Sequence, residues 1–412
     1  MPDGPPGDRA GPVAAEAPIR VLIACDSMGY GEETLHGLGR LMIEWATGFD
    51  PTRVQAAAVS LRRPRRIGDA LLREGVPIRF LSDGRFNPIS AWKLLRLIRA
   101  TRSQVLHLNG FGAGIFGRLA GYLTGTPAII HVHDSRDAAE TTYPLPVRLL
   151  DRLLASWTAR AVAVSGSVKR FCVEQMGFRA DQVEIVHNPA PRFGFDAVPD
   201  ERVAALRAEY GLDASDPVIG TVGRLFRLKG VHVLLEAFVE VRRKLPRARL
   251  LIVGDGPERA RLEAQAGELG IAESVVFTGF QREVVAHLRL FTVSAIPSVW
   301  QEPFPLAALE SLAAGVPVVG SATGGMPDIV TDGQSGILVP PGEPAALAHA
   351  LARTLEDPAL RERLAAGARV HSQRFSLERH LARLESLYRA VAAESATQTR
   401  ARSADSEKHH VD

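Results

Sequence analysis

Short apolar runs alternate with amphipathic stretches along the whole chain, and the alternation restarts once. That pattern narrows the fold more than any single residue does. In the first half the runs at Ile19–Ala24, Val54–Val59, Val105–Leu108, Ala128–Val132, Ala161–Val164 and Val183–Val186 are short and partly β-branched. Such runs read as buried strands of a parallel sheet. Between them Thr34–Ala46, Ala91–Ala100 and Phe116–Leu123 repeat apolar residues at helical spacing. After Pro191 the pattern begins again. Strands are expected at Val218–Val222, Arg249–Val253, Val275–Thr278, Leu290–Ile296 and Val316–Val319. Helices are expected at Asp200–Tyr210, Val231–Arg243, Glu258–Glu268 and Ala345–Thr354, with a long last helix at Leu377–Ala393. Strands alternating with helices imply βαβ units, so the class is α/β: two Rossmann-like, doubly wound domains facing across a cleft.

The expected division is a disordered arm over 1–18, a first domain over 19–190, a second over 191–375, a closing helix over 376–393 and a flexible tail over 394–412. The arm is rich in Pro, Gly and Ala and has no periodicity. The join falls at Asn188-Pro-Ala-Pro191, and 412 residues suffice for two or three domains with full cores. Net charge of +3 and a basic pI do not call for nucleic acid, because no basic run is interleaved with aromatics. Cys25 and Cys172 sit in apolar or helical contexts, which fits a reducing cytoplasm and no disulfide framework. No apolar run reaches membrane-spanning length, and the N-terminus lacks the pattern of a secretory signal.

Chemistry concentrates in the second half. Pro297–Val319 reads as strand end, loop, short helix, turn and strand, with Glu302 in the loop and Glu310 on the helix. Gly223-Arg-Leu-Phe-Arg-Leu-Lys-Gly230 follows a strand and opens a helix. A glycine turn with Arg224 and Lys229 at that edge suits a phosphate clamp, since helix N-termini favour anions and the cations add charge-assisted hydrogen bonds. It matches neither the P-loop nor the dinucleotide fingerprint, which disfavours a dehydrogenase. Gly254-Asp-Gly-Pro-Glu258, Gly279-Phe280 and Gly324-Gly325 are further glycine turns at strand ends. Loops of this kind along one sheet edge argue for a nucleotide or sugar-phosphate site.

These residues as a set resemble the retaining glycosyltransferases of the family-4 type, the glycosyl transferases group 1, with the two-domain GT-B fold. The matching positions are Gly223-Arg224 with Lys229-Gly230, Gly254-Asp-Gly, Phe277-Thr-Gly-Phe280, Pro297-Ser298, Glu302-Pro-Phe, Glu310, Ala314-Gly-Val-Pro-Val, Gly324-Gly325 with Pro327, and Gly333 with Gly336-Ile-Leu-Val-Pro340. The resemblance runs from about Ile19 to Ala393 and is strongest from Val218 to Pro341. It implies that Arg224 and Lys229 neutralise a donor diphosphate, that Glu302 accepts hydrogen bonds from the donor sugar, and that Glu310 binds the ribose. It implies further donor contacts at Gly223, Gly254, Phe280 and the backbone of Phe304, Pro305 and Leu306. The implied co-substrate is a nucleotide-sugar, UDP on family frequency, with no cofactor. No Asp-x-Asp triplet occurs, so a bridging metal is not required and the protein's cations serve instead.

On the first domain, His131-Val-His-Asp134 ends a strand. Two histidines at i and i+2 could suggest a metal, but no third ligand is in view. The resemblance places His133 next to acceptor and donor sugar; His131 reads as packed or hydrogen-bonded. His107-Leu-Asn-Gly110 ends the preceding strand, and His107 reads equally as a structural histidine or a substrate contact. The acceptor side is expected to use Gly29, Gly31, Asn109 and Asp134. Three positions depart from the family pattern: Tyr30 separates the paired glycines, Pro305 stands where glycine is usual, and Asp328 stands where glutamate is usual. The last helix would cross back onto the first domain. Arg62–Arg66, with the Trp92 helix, could make peripheral contact with an anionic membrane; a solvated loop and a core-packed helix are the plainer expectation. The expected activity is transfer of a sugar to a hydroxyl of a glycan, lipid-linked or small natural-product acceptor. The alternatives are a non-hydrolysing nucleotide-sugar epimerase and a non-catalytic nucleotide-sugar-binding protein.

Overall fold

The computed structural model describes residues 17–30, 34–35, 37–63, 65–82, 88–133, 145–190 and 198–408. Gly31, Asp134 and residues 1–16 of the expected arm lie outside the described residues. Two parallel sheets carry the chain. The first has seven strands in the order β5-β4-β1-β6-β7-β8-β9. They are β1 (Ile19–Cys25), β4 (Val54–Ser60), β5 (Ile78–Phe80), β6 (Val105–Asn109), β7 (Ala128–Val132), β8 (Arg160–Ala163) and β9 (Val183–Ile185). A small antiparallel ribbon of β2 (Gly29–Tyr30) and β3 (Thr34–Leu35) follows β1. The helices of this half are α1 (Gly37–Gly48), α2 (Arg65–Arg73), α3 (Pro88–Thr101), α4 (Phe111–Thr124), α5 (Leu145–Ala155) and α6 (Gly166–Glu174).

The second sheet has six strands in the order β12-β11-β10-β13-β14-β15. They are β10 (Val218–Val222), β11 (Arg249–Val253), β12 (Val275–Gly279), β13 (Val293–Ile296), β14 (Val318–Ser321) and β15 (Gly336–Val339). Its helices are α7 (Asp200–Glu209), α8 (Val231–Lys244), α9 (Arg259–Glu268), α10 (Val284–Leu288), α11 (Leu306–Ala313), α12 (Met326–Ile329), α13 (Pro344–Glu356) and α14 (Pro358–Ser372). Strands buried on both faces are mostly apolar; β6, β7 and β13 are buried at every position, and β1 and β11 at all but Arg20 and Arg249. The alternation that marked both halves in the sequence is therefore the sheet itself.

Local chemistry sets several element ends. Asp26, just past β1, accepts from the amides of Gly112 (2.9 Å) and Ala113 (2.5 Å) and so caps α4. Helix α1 starts at Gly37, later than the expected Thr34, because Thr34 and Leu35 pair with the Gly29–Tyr30 strand. The basic stretch Arg62–Arg66 is only partly a loop, since α2 begins at Arg65. Trp92 on α3 is not core-packed: it is 55% exposed, with the Arg96 guanidinium 4.7 Å above its ring.

The final helix α15 spans Leu377–Lys408. It was expected to stop at Ala393, with a flexible tail beyond. Residues 394–408 contain neither Gly nor Pro, so nothing in them breaks the helix. Its first half returns to the first domain: Leu377, Leu381, Leu384, Leu387 and Tyr388 pack with Ile19, Val21, Leu41 and Trp45 in one apolar cluster. Arg53–Glu385 (3.0 Å) and Arg160–Glu394 (2.6 Å) frame that contact. The two halves also meet across the cleft. Gly166 N donates to Asp328 Oδ2 at 3.1 Å, and Phe304, Ala308 and Leu309 share a cluster with Val168 and Phe171.

Candidate active site

In the second sheet the chain leaves β10 towards β11 and later returns on β10's other side as β13. The crevice at the carboxyl ends of such a reversal is where open α/β sheets bind ligands. The loops that flank it are 223–230 after β10 and 297–305 after β13. They bring Gly223, Arg224, Lys229, Ser298, Glu302 and Pro305 to one depression. Lys229 sits on the 3₁₀ turn Arg227–Lys229, and its ammonium pairs with Glu302 Oε1. Ser298 Oγ donates to the other oxygen of Glu302 at 2.7 Å. Held at both oxygens and 9% exposed, the carboxylate is fixed in place and keeps lone pairs for further donors. Arg224 stacks its guanidinium 4.4 Å over the ring of Phe226.

Two glycines allow these loops to close on each other. Gly254 has φ 142°, and a Cβ there would lie 1.9 Å from Gly223 O. Gly230 has φ 70°, and a Cβ would lie 1.9 Å from Pro297 O. Both obstacles are backbone, so no side chain can swing away. Gly230→Ala and Gly254→Ala are each expected to lower the urea midpoint by more than about 2 kcal/mol equivalent. Gly267→Ala on α9, with nothing within 4 Å of the added Cβ, should be neutral or stabilising by about 0.5–1 kcal/mol. Equal midpoints for all three variants would refute the close-packing argument.

The other donor-side positions are placed differently. Gly254 follows Val253 of the depression's lining, and its amide donates to Gly279 O at 3.0 Å. Phe280 is 58% exposed at the end of β12 and is not among the residues that line the depression. Phe304 is buried with its ring 5.6 Å from that of His187, which leaves only its backbone for a ligand. Pro305 caps α11, and Leu306 begins the first turn, whose amides have no intrahelical acceptor. Glu310, one helix turn further on, pairs with Arg40 Nη1 of α1 at 3.2 Å across the cleft. Burial raises its carboxyl above the usual range, and Arg40 opposes that rise. Sequence reasoning missed Arg40 because no local signal links it to a partner 270 positions away.

On the first domain, β1 lies between β4 and β6, a second reversal point. His133, just past β7, donates from Nε2 to Asn109 Oδ1 at 3.0 Å. Asn109 Nδ2 donates to Ala24 O at 3.2 Å, which fixes the amide so that Oδ1 is the acceptor and His133 Nε2 carries the proton. Asn109 is fully buried, so it orients His133 instead of touching an acceptor as expected. Gly29 is buried in its two-residue strand, where its carbonyl accepts from Ser27 Oγ at 3.3 Å. His107 is structural: Nδ1 bonds Tyr388 Oη at 2.7 Å and Nε2 bonds His131 Nδ1 at 3.0 Å. Burial holds both imidazoles well below the ordinary histidine range, so both are neutral.

Comparison with known proteins agrees with this geometry. Residues 203–371 match the family described as Glycosyl transferases group 1, and residues 35–191 match Glycosyltransferase Family 4. The chain is 31% identical over 340 residues to alpha-D-kanosaminyltransferase of Streptomyces kanamyceticus, covering 77% of this chain and 87% of that one. It is 33% identical over 313 residues to D-inositol 3-phosphate glycosyltransferase of Acidothermus cellulolyticus, covering 71% and 68%. It is 32% identical over 282 residues to 2-deoxystreptamine glucosyltransferase of S. kanamyceticus, covering 65% and 71%. Among solved structures, Anabaena HepE in complex with UDP superposes with a TM-score of 0.75 at 22% identity, over 90% of this chain and all of that one. With its two facing Rossmann-like domains and its matches on both halves, this chain belongs to the group 1, family-4 glycosyltransferases and has the GT-B fold.

Proposed function

We propose that this glycosyltransferase moves a sugar from a UDP-sugar to a hydroxyl of a cyclitol-type acceptor, with retention of anomeric configuration. The observation that carries the reading is the convergence of Arg224, Lys229 and Glu302 at the β10–β13 reversal point. Two cations and one immobilised carboxylate are what a diphosphate joined to a polyol demands. Relatives named for D-inositol 3-phosphate and for 2-deoxystreptamine support a cyclitol acceptor. UDP bound to the HepE structure supports the nucleotide.

In this reading the acceptor hydroxyl attacks C1 from the face that the phosphate leaves. Its proton passes to a phosphate oxygen while the C1–O bond breaks and UDP departs with the electron pair. Arg224 and Lys229 stabilise the charge that develops there. His133 stands at the acceptor side. Because protein cations face the diphosphate, chelation with EDTA should leave the rate unchanged.

A thermal-shift screen with UDP-, GDP- and ADP-sugars tests the donor, with stabilisation expected for the UDP series alone. Glu310→Gln should weaken UDP about 10- to 100-fold by calorimetry, the loss of a charged acceptor to the ribose hydroxyls. Unchanged affinity would remove Glu310 from the nucleotide site. Donor incubated alone should yield no epimer. The reading places the enzyme in the cytoplasm. Arg62–Arg66, together with exposed Ile89 and Trp92, would allow contact with an anionic bilayer, which vesicle co-sedimentation tests directly.

A further inference from the structure

Helix α1 of the first domain lies against α11 of the second, and their contacts follow helical spacing. A Cβ on Gly37 would lie 2.9 Å from Leu306 Cδ1, so the start of α1 sits directly on the Leu306 side chain. Residues three or four apart share a helix face, which brings Arg40 and Glu310 together one turn further on. Arg40 Nη1 donates to Glu310 Oε1 at 3.2 Å. One more turn along α1, Glu44 Oε1 lies 3.5 Å from Arg40 Nε. The Arg40 guanidinium thus stands between a carboxylate of its own helix and one of the other domain.

The side chain of Glu310 is 13% exposed and that of Arg40 24%. A carboxyl so enclosed is drawn towards its neutral form, which offers fewer acceptor sites. Arg40 opposes that tendency and fixes the group through Oε1. Glu310 Oε2 has no donor among the described residues. A cation likewise holds Glu302, but there Lys229 comes from the same domain. At Glu310 the cation comes from the opposite one.

We infer that Arg40 is a positioning residue for the nucleotide: it holds Glu310 from across the cleft so that the carboxylate receives the ribose 2′- and 3′-hydroxyls, and it thereby favours ribonucleotides over 2′-deoxyribonucleotides. The inference rests on the reading of Glu310 as the ribose ligand. It goes further by adding a residue of the first domain to a nucleotide site otherwise built by the second. Arg40 acts through Glu310 on a part of the donor remote from the reacting bond. Such an interaction is equally strong before and during reaction, so it moves the donor KM and leaves kcat.

Calorimetry with UDP and 2′-deoxy-UDP on the full-length enzyme tests this. The wild type is expected to bind UDP about 10- to 100-fold more tightly, the effect of one hydrogen bond to a charged group. Arg40→Met should weaken UDP about tenfold and cut the preference over 2′-deoxy-UDP at least about threefold. Arg40→Lys, which restores a cation, should recover most of both. In turnover the donor KM should rise in Arg40→Met while kcat stays within about threefold. Melting temperatures check folding, and Arg40→Gln gives the same reading should the Met variant melt early. In a Glu310→Gln background the ribose preference should already be reduced, and adding Arg40→Met should change UDP binding less than about threefold. A merely structural Arg40 would weaken both nucleotides alike in either background. That result, or tighter UDP binding in Arg40→Met because Arg40 competes with the ribose, overturns the proposal. The two readings fail separately. If Glu310→Gln keeps UDP affinity and ribose preference, the ribose role of Glu310 falls. If Glu310→Gln loses them and Arg40→Met does not, Arg40 alone falls. Should the donor screen select another nucleotide, the same comparison is made with that nucleotide and its 2′-deoxy form.

Discussion

Replacing Lys229 by alanine is expected to lower kcat for sugar transfer by about 10²- to 10³-fold, the usual effect of removing one group that stabilises developing charge in a transition state. The fold should survive. Lys229 is 32% exposed on its side chain and Glu302 12%, so their ion pair is not fully desolvated and contributes about 1 kcal/mol or less to stability. Loss of activity with a melting temperature shifted by only a few degrees therefore separates the chemical role from a structural one. Glu302→Gln gives the complementary result. It keeps the shape and the Ser298 contact but weakens the acceptor offered to sugar hydroxyls, so it should raise the donor KM as well as lower kcat. Near-wild-type turnover in both variants would mean that the β10–β13 crevice is not where transfer occurs.

Acidification is expected to loosen the closing helix before it affects the donor crevice. His380 on α15 accepts from Trp45 Nε1 at 2.8 Å and bonds His187 O through Nδ1 at 2.8 Å, a pairing that suits the neutral ring. Burial pushes its pKa down to about 4. The ordinary value is about 6.5, so between these limits the unfolded chain binds a proton that the native chain refuses. Stability is full above about pH 6.5 and falls as pH is lowered, by about 2 kcal/mol at pH 5 and about 3 kcal/mol below pH 4 from this residue alone. His107 and His131 are shifted the same way and add to the loss. Asp26 and Glu310 act in the opposite sense, since burial raises both and backbone amides or Arg40 offset that rise only in part. Urea midpoints at pH 7.5 and pH 5 measure the balance. His380→Gln, which retains an acceptor for Trp45, should flatten the dependence. A wild-type midpoint that does not move would contradict the buried neutral cluster.

The parts of this architecture that were legible are those in which one short segment carries its own reason. Gly230 and Gly254 announced tight loops at strand ends, and the structure shows neighbouring backbone occupying the space a side chain would need. Arg224, Lys229 and Glu302 could be assembled because their loops follow adjacent strands of one sheet. What was not legible comes from pairs brought together by tertiary packing. Arg40 meets Glu310 and His107 meets Tyr388 across separations of 270 and 281 residues, and nothing near either partner hints at the other. Asn109 read as an acceptor contact because it ends a strand at the cleft; only its full burial shows that it holds His133. The end of α15 was misjudged for a different reason. The polar segment 394–408 carries no apolar period to mark a helix, yet it holds neither Gly nor Pro, and α15 runs on to Lys408.

The central claim is retaining transfer from a UDP-sugar at the crevice of Arg224, Lys229 and Glu302. The most direct measurement is to incubate the enzyme with UDP-glucose and myo-inositol and read the anomeric configuration of the new glycoside by NMR. The account predicts an α-linked product from the α-linked donor, formed by the wild type and not by Lys229→Ala. A β-linked product, or equal product from the variant, would contradict it.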